Sequence, residues 1–299
     1  LRPLERLWKG DRLAVVNGVG YPNPDYSHFR ATEIWYTAEP EKNPTYGWIG
    51  RALDAYPRRA PLRAVALGKE QPLTLAAGTP GAATLTDFSR FRVPAGLEAV
   101  ARLYGRYGAL DGARGEVGRA GEEAMEVARK ISGLAPADGP YYGPLGDNLR
   151  KVVALLTADL GLEAIHFGYG GFDTHANQAR PHGELLGALA GNLAAYQDHL
   201  ERLGVADRVV TMVFSEFGRR PAENVSGGTD HGSAAPVFLL GQGLHGGLHG
   251  EYPSLDDLDQ DNFRFTTDFR RIYAAVLAHA YGVDPVPVLG DHAPLELFR

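Results

Sequence analysis

The sequence predicts an α/β protein built on a mostly parallel sheet flanked by helices on both faces. Two observations carry this prediction. From about residue 147 onward, segments with apolar residues at helical spacing alternate with short, continuous apolar runs of strand length. Those runs stop at glycines or at loops rich in acids and histidines, as expected of buried strands whose carboxyl ends hold the chemistry.

Each element has its own signal. "RLAVVNGVG" (12–20) reads as a buried strand stopped by glycines, and after Pro22 and Pro24 a helix is expected to start at Ser27. Residues 40–95 are rich in Pro, Gly and Thr, with short strand-like pieces such as "LRAVALG", and read as irregular. From Leu97 to Leu134 the pattern is helical, with Leu97, Val100, Leu103, Tyr104 and Tyr107 on one side. Glycines at 108, 112, 115, 118 and 121 are expected to weaken or break that helix. "NLRKVVALLTADLG" then reads as a helix and "EAIHFGYGG" as a strand. Leu185, Leu189, Leu193, Tyr196, Leu200 and Leu203 form a helical apolar stripe. "RVVTMVF" reads as a strand covered on both faces, "APVFLLG" as another, and "TTDFRRIYAAVLAHAYG" as a closing helix capped by Thr267. The whole is read as one domain, 1–299, with an irregular and helical excursion over about 40–135.

Composition narrows the function. A net charge of −6 offers no basic footprint, so nucleic acid is not an expected partner. No apolar run approaches the roughly 20 residues that span a bilayer. With no cysteine, a metal would have to sit on His, Asp, Glu or backbone oxygen. Only Lys9, Lys42, Lys69, Lys130 and Lys151 are lysines among 30 basic residues, an arginine bias that suggests a GC-rich, thermophilic source.

Three segments bring acids and histidines to expected strand ends. "YGGFDTHANQ" (169–178) carries Asp173 and His175, two apart and so on one side of an extended backbone. "RVVTMVF" runs into Glu216 and Arg219, and "GGTDHGS" holds Asp230 and His231 ahead of the next strand. Such a set could ligate a metal or work as acid and base; the plainer alternative is an Asp–His hydrogen bond bracing a loop. Ser27 reads either as a simple N-cap or as a nucleophile helped by a helix N-terminus. Arg219 reads either as a phosphate or sulfate clamp or as a partner of Glu216. His28 is left as a local or supporting residue, and His166 as a core residue. His245 and His249 have i,i+4 spacing, but the glycines around them argue for a loop. "DLDQDNFRFTTD" (257–268) mimics a calcium loop but lacks its glycine and terminal glutamate. No dinucleotide fingerprint, Walker motif or nucleophile elbow is present, leaving a metal-free serine hydrolase using Ser27 or Ser226 without a motif.

In order, "YSHFRATEIW", "GGFDTHANQ", "SEFGR", "GGTDHG" and "TTDFRRIYAAVL" resemble a bacterial domain-of-unknown-function family, number 1501, over nearly the whole chain. That family is grouped with the alkaline phosphatase and sulfatase superfamily. The resemblance implies an alkaline-phosphatase-like core and metal ligands at Asp173, His175, Glu216 and His231, with Asp230 beside them. Ser27 resembles the superfamily's nucleophile, and Arg219 would face the transferred group. The expectation is one divalent ion per chain, Zn²⁺ or Mn²⁺, serving hydrolysis of a small phosphate or sulfate ester. The alternative is a non-catalytic scaffold or binding protein that keeps the fold. The chain departs from the superfamily pattern at Phe217, where a histidine ligand is common. Relatives also carry a further strand with an Asp ligand, and often an export signal, ahead of residue 1. The resemblance thus implies a truncation or processing point there and a periplasmic or extracellular location.

Overall fold

Burial explains the first long strand. Helix α1 (Glu5–Lys9) leads into β1 (Leu13–Gly20), where Ala14, Val16 and Val19 are almost wholly enclosed. The computed structural model describes all residues except 57, 59, 80, 92–95 and 97. Helix α2 (His28–Thr37) starts directly after Ser27, whose extended backbone makes it the N-cap, and α3 (Trp48–Ala55) follows. Strands β2 (Ala64–Leu67) and β3 (Ala82–Leu85) precede a helical pair, α4 (Glu98–Gly108) and α5 (Gly112–Ser132). Next come α6 (Gly143–Thr157), β4 (Ala164–Phe167), α7 (Ala179–Arg202) and β5 (Val210–Val213). Two-residue strands β6 (Gly218–Arg219) and β7 (His231–Gly232) pair before β8 (Ala235–Gly241) and β9 (Gly247–His249). A hairpin of β10 (Leu258–Asp259) and β11 (Asn262–Phe263) precedes β12 (Thr267–Asp268), α8 (Phe269–Val276) and α9 (Val286–Leu289). The cap of α8 is Asp268, one residue beyond the expected Thr267; its carboxylate accepts the Arg270 N–H at 2.9 Å.

The class is α/β, but the sheets correct the expectation of one mostly parallel sheet. The largest has the order β12-β1-β8-β5, with β9 also on β1. β1 runs parallel to β9 and β12 but antiparallel to β8, and β8 is antiparallel to β5, so the sheet is mixed. A continuous apolar run encodes burial and not direction, which is why "APVFLLG" concealed its reversed sense. β5 is the end strand of the path and all four residues are only partly buried, so it is not covered on both faces as read. A separate three-stranded sheet, β3-β2-β4, is parallel throughout. Its β2 and β3 come from the stretch read as irregular; β2 lies within the strand-like "LRAVALG" piece and is fully buried.

The two largest of four apolar clusters among the described residues support these sheets. Around the large sheet, Trp35 stacks between Phe214 at 5.1 Å and Phe269 at 4.6 Å, and Trp48 stacks on Tyr273 at 4.3 Å. Enclosure of such aromatics fixes α2, and hence His28, relative to β1. Around the small sheet, Val65, Leu149, Val153, Ile131 and Leu200 form the second core.

The glycines of α5 also correct the sequence reading. The helix does break between Gly108 and Gly112, but it runs unbroken through Gly115, Gly118 and Gly121. Those glycines let α4 approach: a Cβ at 118 would sit 2.1 Å from the Gly108 nitrogen, and one at 121 would sit 2.4 Å from the Tyr104 ring. Close packing offsets their poor helix propensity of about 1 kcal/mol each. Leu97 lies outside the described residues, and Leu103 and Tyr107 are exposed. The calcium-loop mimic is the β10–β11 hairpin, turning at Gln260 and Asp261 with positive φ, and its Asp257 pairs with Arg264.

Candidate metal centre

Three backbone features bring the site together. After β4, the chain turns at Gly171, whose φ of +99° suits glycine alone, and then presents Asp173 and His175. The β6–β7 pairing sets Arg219 opposite His231. The 224–230 loop is tied to the Asp173 segment by N–H groups of Asn177 and Gln178 donating to the carbonyls of Ser226 and Gly227, at 3.0 and 2.9 Å. Gly228 lies flat against this junction, where a Cβ would come within 2.3 Å of the His175 carbonyl carbon. The first turn of α2 delivers His28 from the other side.

Four side chains then converge. Nε2 of His231 and Nε2 of His175 each lie 2.8 Å from Asp173 Oδ1, and Nε2 of His28 lies 3.2 Å from Oδ2. The Nε2 atoms of His175 and His231 are 3.0 Å apart. Behind each ring, Nδ1 faces an oxygen: Glu216 Oε1 at 2.7 Å from His28, the Tyr26 carbonyl at 2.9 Å from His231, and Asp230 Oδ1 at 3.5 Å from His175. With a proton on each Nδ1 donating outward, the Nε2 lone pairs would be free to face an ion. Such outer partners are what fix the tautomer of metal-ligating histidines.

The donor set could hold a divalent ion. His28, Asp173 and His231 offer ligand atoms within 4.8 Å of one another. His175 Nε2 lies beside this group, 2.8 Å from Asp173 Oδ1 and 3.0 Å from His231 Nε2. Imidazole nitrogen with carboxylate oxygen suits zinc or manganese.

The same contacts shift the protonation of these groups in the metal-free protein. The Asp173 carboxyl is held well below the usual carboxylate range, chiefly by the His231 hydrogen bond and further by His28, Arg219 and the nearby His175. His28 is raised above its ordinary value, first by Glu216 and then by Asp173. Asp230 is lowered, mainly by the amide of Asn224, which donates to Oδ1 at 3.1 Å. The site is open: the side chains of Asp173 and His28 are 49% and 45% exposed.

Each residue singled out in the sequence has a definite place. Asp173, His175 and His231 meet directly. Glu216 stands behind His28, and Asp230 stands behind His175. Arg219 donates to Asp173 Oδ1 at 3.0 Å and to the carbonyls of Phe172 and Thr229 at 2.9 and 2.7 Å, and not to Glu216. Ser27 is exposed beside His28 and makes no side-chain capping bond. Phe217 stacks on the His231 ring at 4.0 Å and forms a wall there.

Sequence reasoning took His28 only as a local or supporting residue and passed over the Tyr26 carbonyl and Asn224, which donates to the His175 carbonyl at 3.0 Å. Only the adjacency of His28 to Ser27 at a helix start could have marked it. His166 lies on β4 at the edge of the small sheet and is only partly buried, not a core residue as read; desolvation pushes it down to about 4, and it meets Tyr36 edge-on. His249 donates to the His245 carbonyl, so this pair sits on a loop and edge strand and not on a helix. No helix among the described residues is long and apolar enough to cross a membrane.

No curated protein and no solved structure matches the chain. A family model described as "Protein of unknown function (DUF1501)" matches residues 14–293, nearly the whole length, and the chain belongs to that family.

Proposed function

We propose that the chain is a metal-dependent hydrolase of phosphate or sulfate esters, with His28, Asp173, His175 and His231 holding one divalent ion. One observation carries the metal part: three histidines turn Nε2 to a single carboxylate while each Nδ1 faces an oxygen. Placement in the alkaline phosphatase and sulfatase superfamily belongs to the same proposal and rests on the motif resemblance. When bound, a divalent ion supplies Lewis acidity toward a phosphoryl or sulfuryl oxygen.

The protein's own groups prepare the reaction. Glu216, the Tyr26 carbonyl and Asp230 orient the three imidazoles, and Arg219 keeps Asp173 ionised. Asp25 accepts the Ser27 N–H at 2.7 Å and positions the serine at the start of α2. Its hydroxyl, not spent on a cap, is the nucleophile, and the free N–H groups of the first helical turn stabilise the negative charge that develops beside it.

A second reading is favoured by Arg219. Its guanidinium is occupied by Asp173 and two carbonyls, leaving less of it for a transferred group. On that reading the chain is a scaffold that keeps the metal without chemistry. A panel of aryl phosphates and sulfates, assayed with Zn²⁺ and Mn²⁺, separates the two. Metal-dependent turnover that disappears in Ser27→Ala and His231→Ala supports the hydrolase. Absence of turnover with a fully loaded site establishes the scaffold.

A further inference from the structure

We propose a second binding site, for a small oxyanion, in the cavity between β9, α8 and the C-terminal segment. The cavity holds about 510 Å³, within the range of small-molecule sites, and is lined by His245, His249, Arg271, Leu295 and Glu296 among others. Arg271 is its centre. Its Nε donates to the Ala293 carbonyl at 3.1 Å, which fixes the plane of the guanidinium. Its two Nη groups have no hydrogen-bond or ion-pair partner among the described residues, although Glu296 lines the same cavity. An oriented fork with both terminal nitrogens uncommitted is the donor geometry that carboxylate and phosphoryl groups match with two parallel hydrogen bonds.

The histidines complete the recognition. His249 donates Nε2–H to the His245 carbonyl at 2.6 Å, which holds this segment closed. The His245 N–H donates to the Leu297 carbonyl at 2.9 Å, so the loop is fastened to the C-terminal segment. The His245 ring, exposed and with neither nitrogen engaged by a described residue, supplies a further N–H donor. This site shares no residue with the candidate metal centre, and its role is to bind a free anion or the acidic end of a small molecule.

Isothermal titration calorimetry with inorganic phosphate and with acetate, at matched ionic strength, tests the site. Wild type and His175→Ala, which disables the metal centre, are expected to show the same saturable binding. Arg271→Gln, checked for folding by circular dichroism, is expected to weaken it by at least about tenfold, and His245→Ala to weaken it less. Binding of phosphate alone marks a phosphoryl ligand, and binding of acetate alone marks a carboxylate. The proposal is overturned if Arg271→Gln and His245→Ala bind as wild type does, if binding vanishes in His175→Ala, or if neither anion saturates.

Discussion

Glu216→Gln separates what the sequence motif implies from what the geometry shows. The motif resemblance makes Glu216 a direct metal ligand, whereas the structure places it behind His28, with Oε1 2.7 Å from Nδ1. The substitution keeps the shape and an acceptor oxygen but removes the charge that orients and polarises the ring. Loss of an outer partner of this kind costs about 10- to 100-fold in metal affinity. The Glu216 side chain is 28% exposed, so solvent screens part of the effect and the lower end applies, about tenfold or roughly 1.4 kcal/mol.

Competition against a chelator of known affinity measures this directly. The expected outcome is full stoichiometry with Zn²⁺ bound about tenfold more weakly. A site that no longer fills at all would make Glu216 a ligand and refute the reasoning; unchanged affinity would refute its orienting role. Proton linkage in the metal-free protein provides a second readout. Because Glu216 raises the folded-state value of His28, its contribution to stability is complete below the unfolded value near 6.5 and is lost as pH rises through the folded value. Wild type should therefore lose stability as pH rises above about 6.5, and Glu216→Gln should flatten that slope.

Other outcomes follow from the same contacts. Gly228→Ala removes no ligand, yet its methyl would press within 2.3 Å of the His175 backbone, so metal affinity measured by chelator competition should fall and stability should drop by about 1–3 kcal/mol. Gly118→Ala should cost about 1–3 kcal/mol through overpacking against Gly108, visible as faster amide exchange in α4 and α5 with metal binding intact. Glu163→Ala strips the partner from the buried Arg63 guanidinium and should lower stability by about 3–5 kcal/mol in denaturant unfolding.

Much of this was legible in residue order because burial leaves a pattern. The run "LAVVNGVG", the stripe from Leu185 to Leu200 and the run "APVFLLG" became β1, α7 and β8. Asp173, His175 and His231 were legible because each follows or precedes a strand in a glycine-bearing loop. His28 was not, since one histidine in a first helical turn has no spacing signal. Its place depends on Trp35 and Phe269 holding α2 against the sheet. Strand direction was hidden for a related reason, because β8 would be equally apolar running either way. The α5 glycines misled through a local rule, in that their value lies in how near they let α4 come, a long-range property.

The central claim is that His28, Asp173, His175 and His231 hold one metal ion. Elemental mass spectrometry of the purified protein, wild type beside His175→Ala and His28→Ala, tests it most directly. The account predicts about one Zn or Mn per wild-type chain, depleted in both variants. A wild-type chain that stays free of metal after incubation with excess Zn²⁺ and Mn²⁺ would contradict it, and would leave the four side chains as a hydrogen-bonded brace between loops.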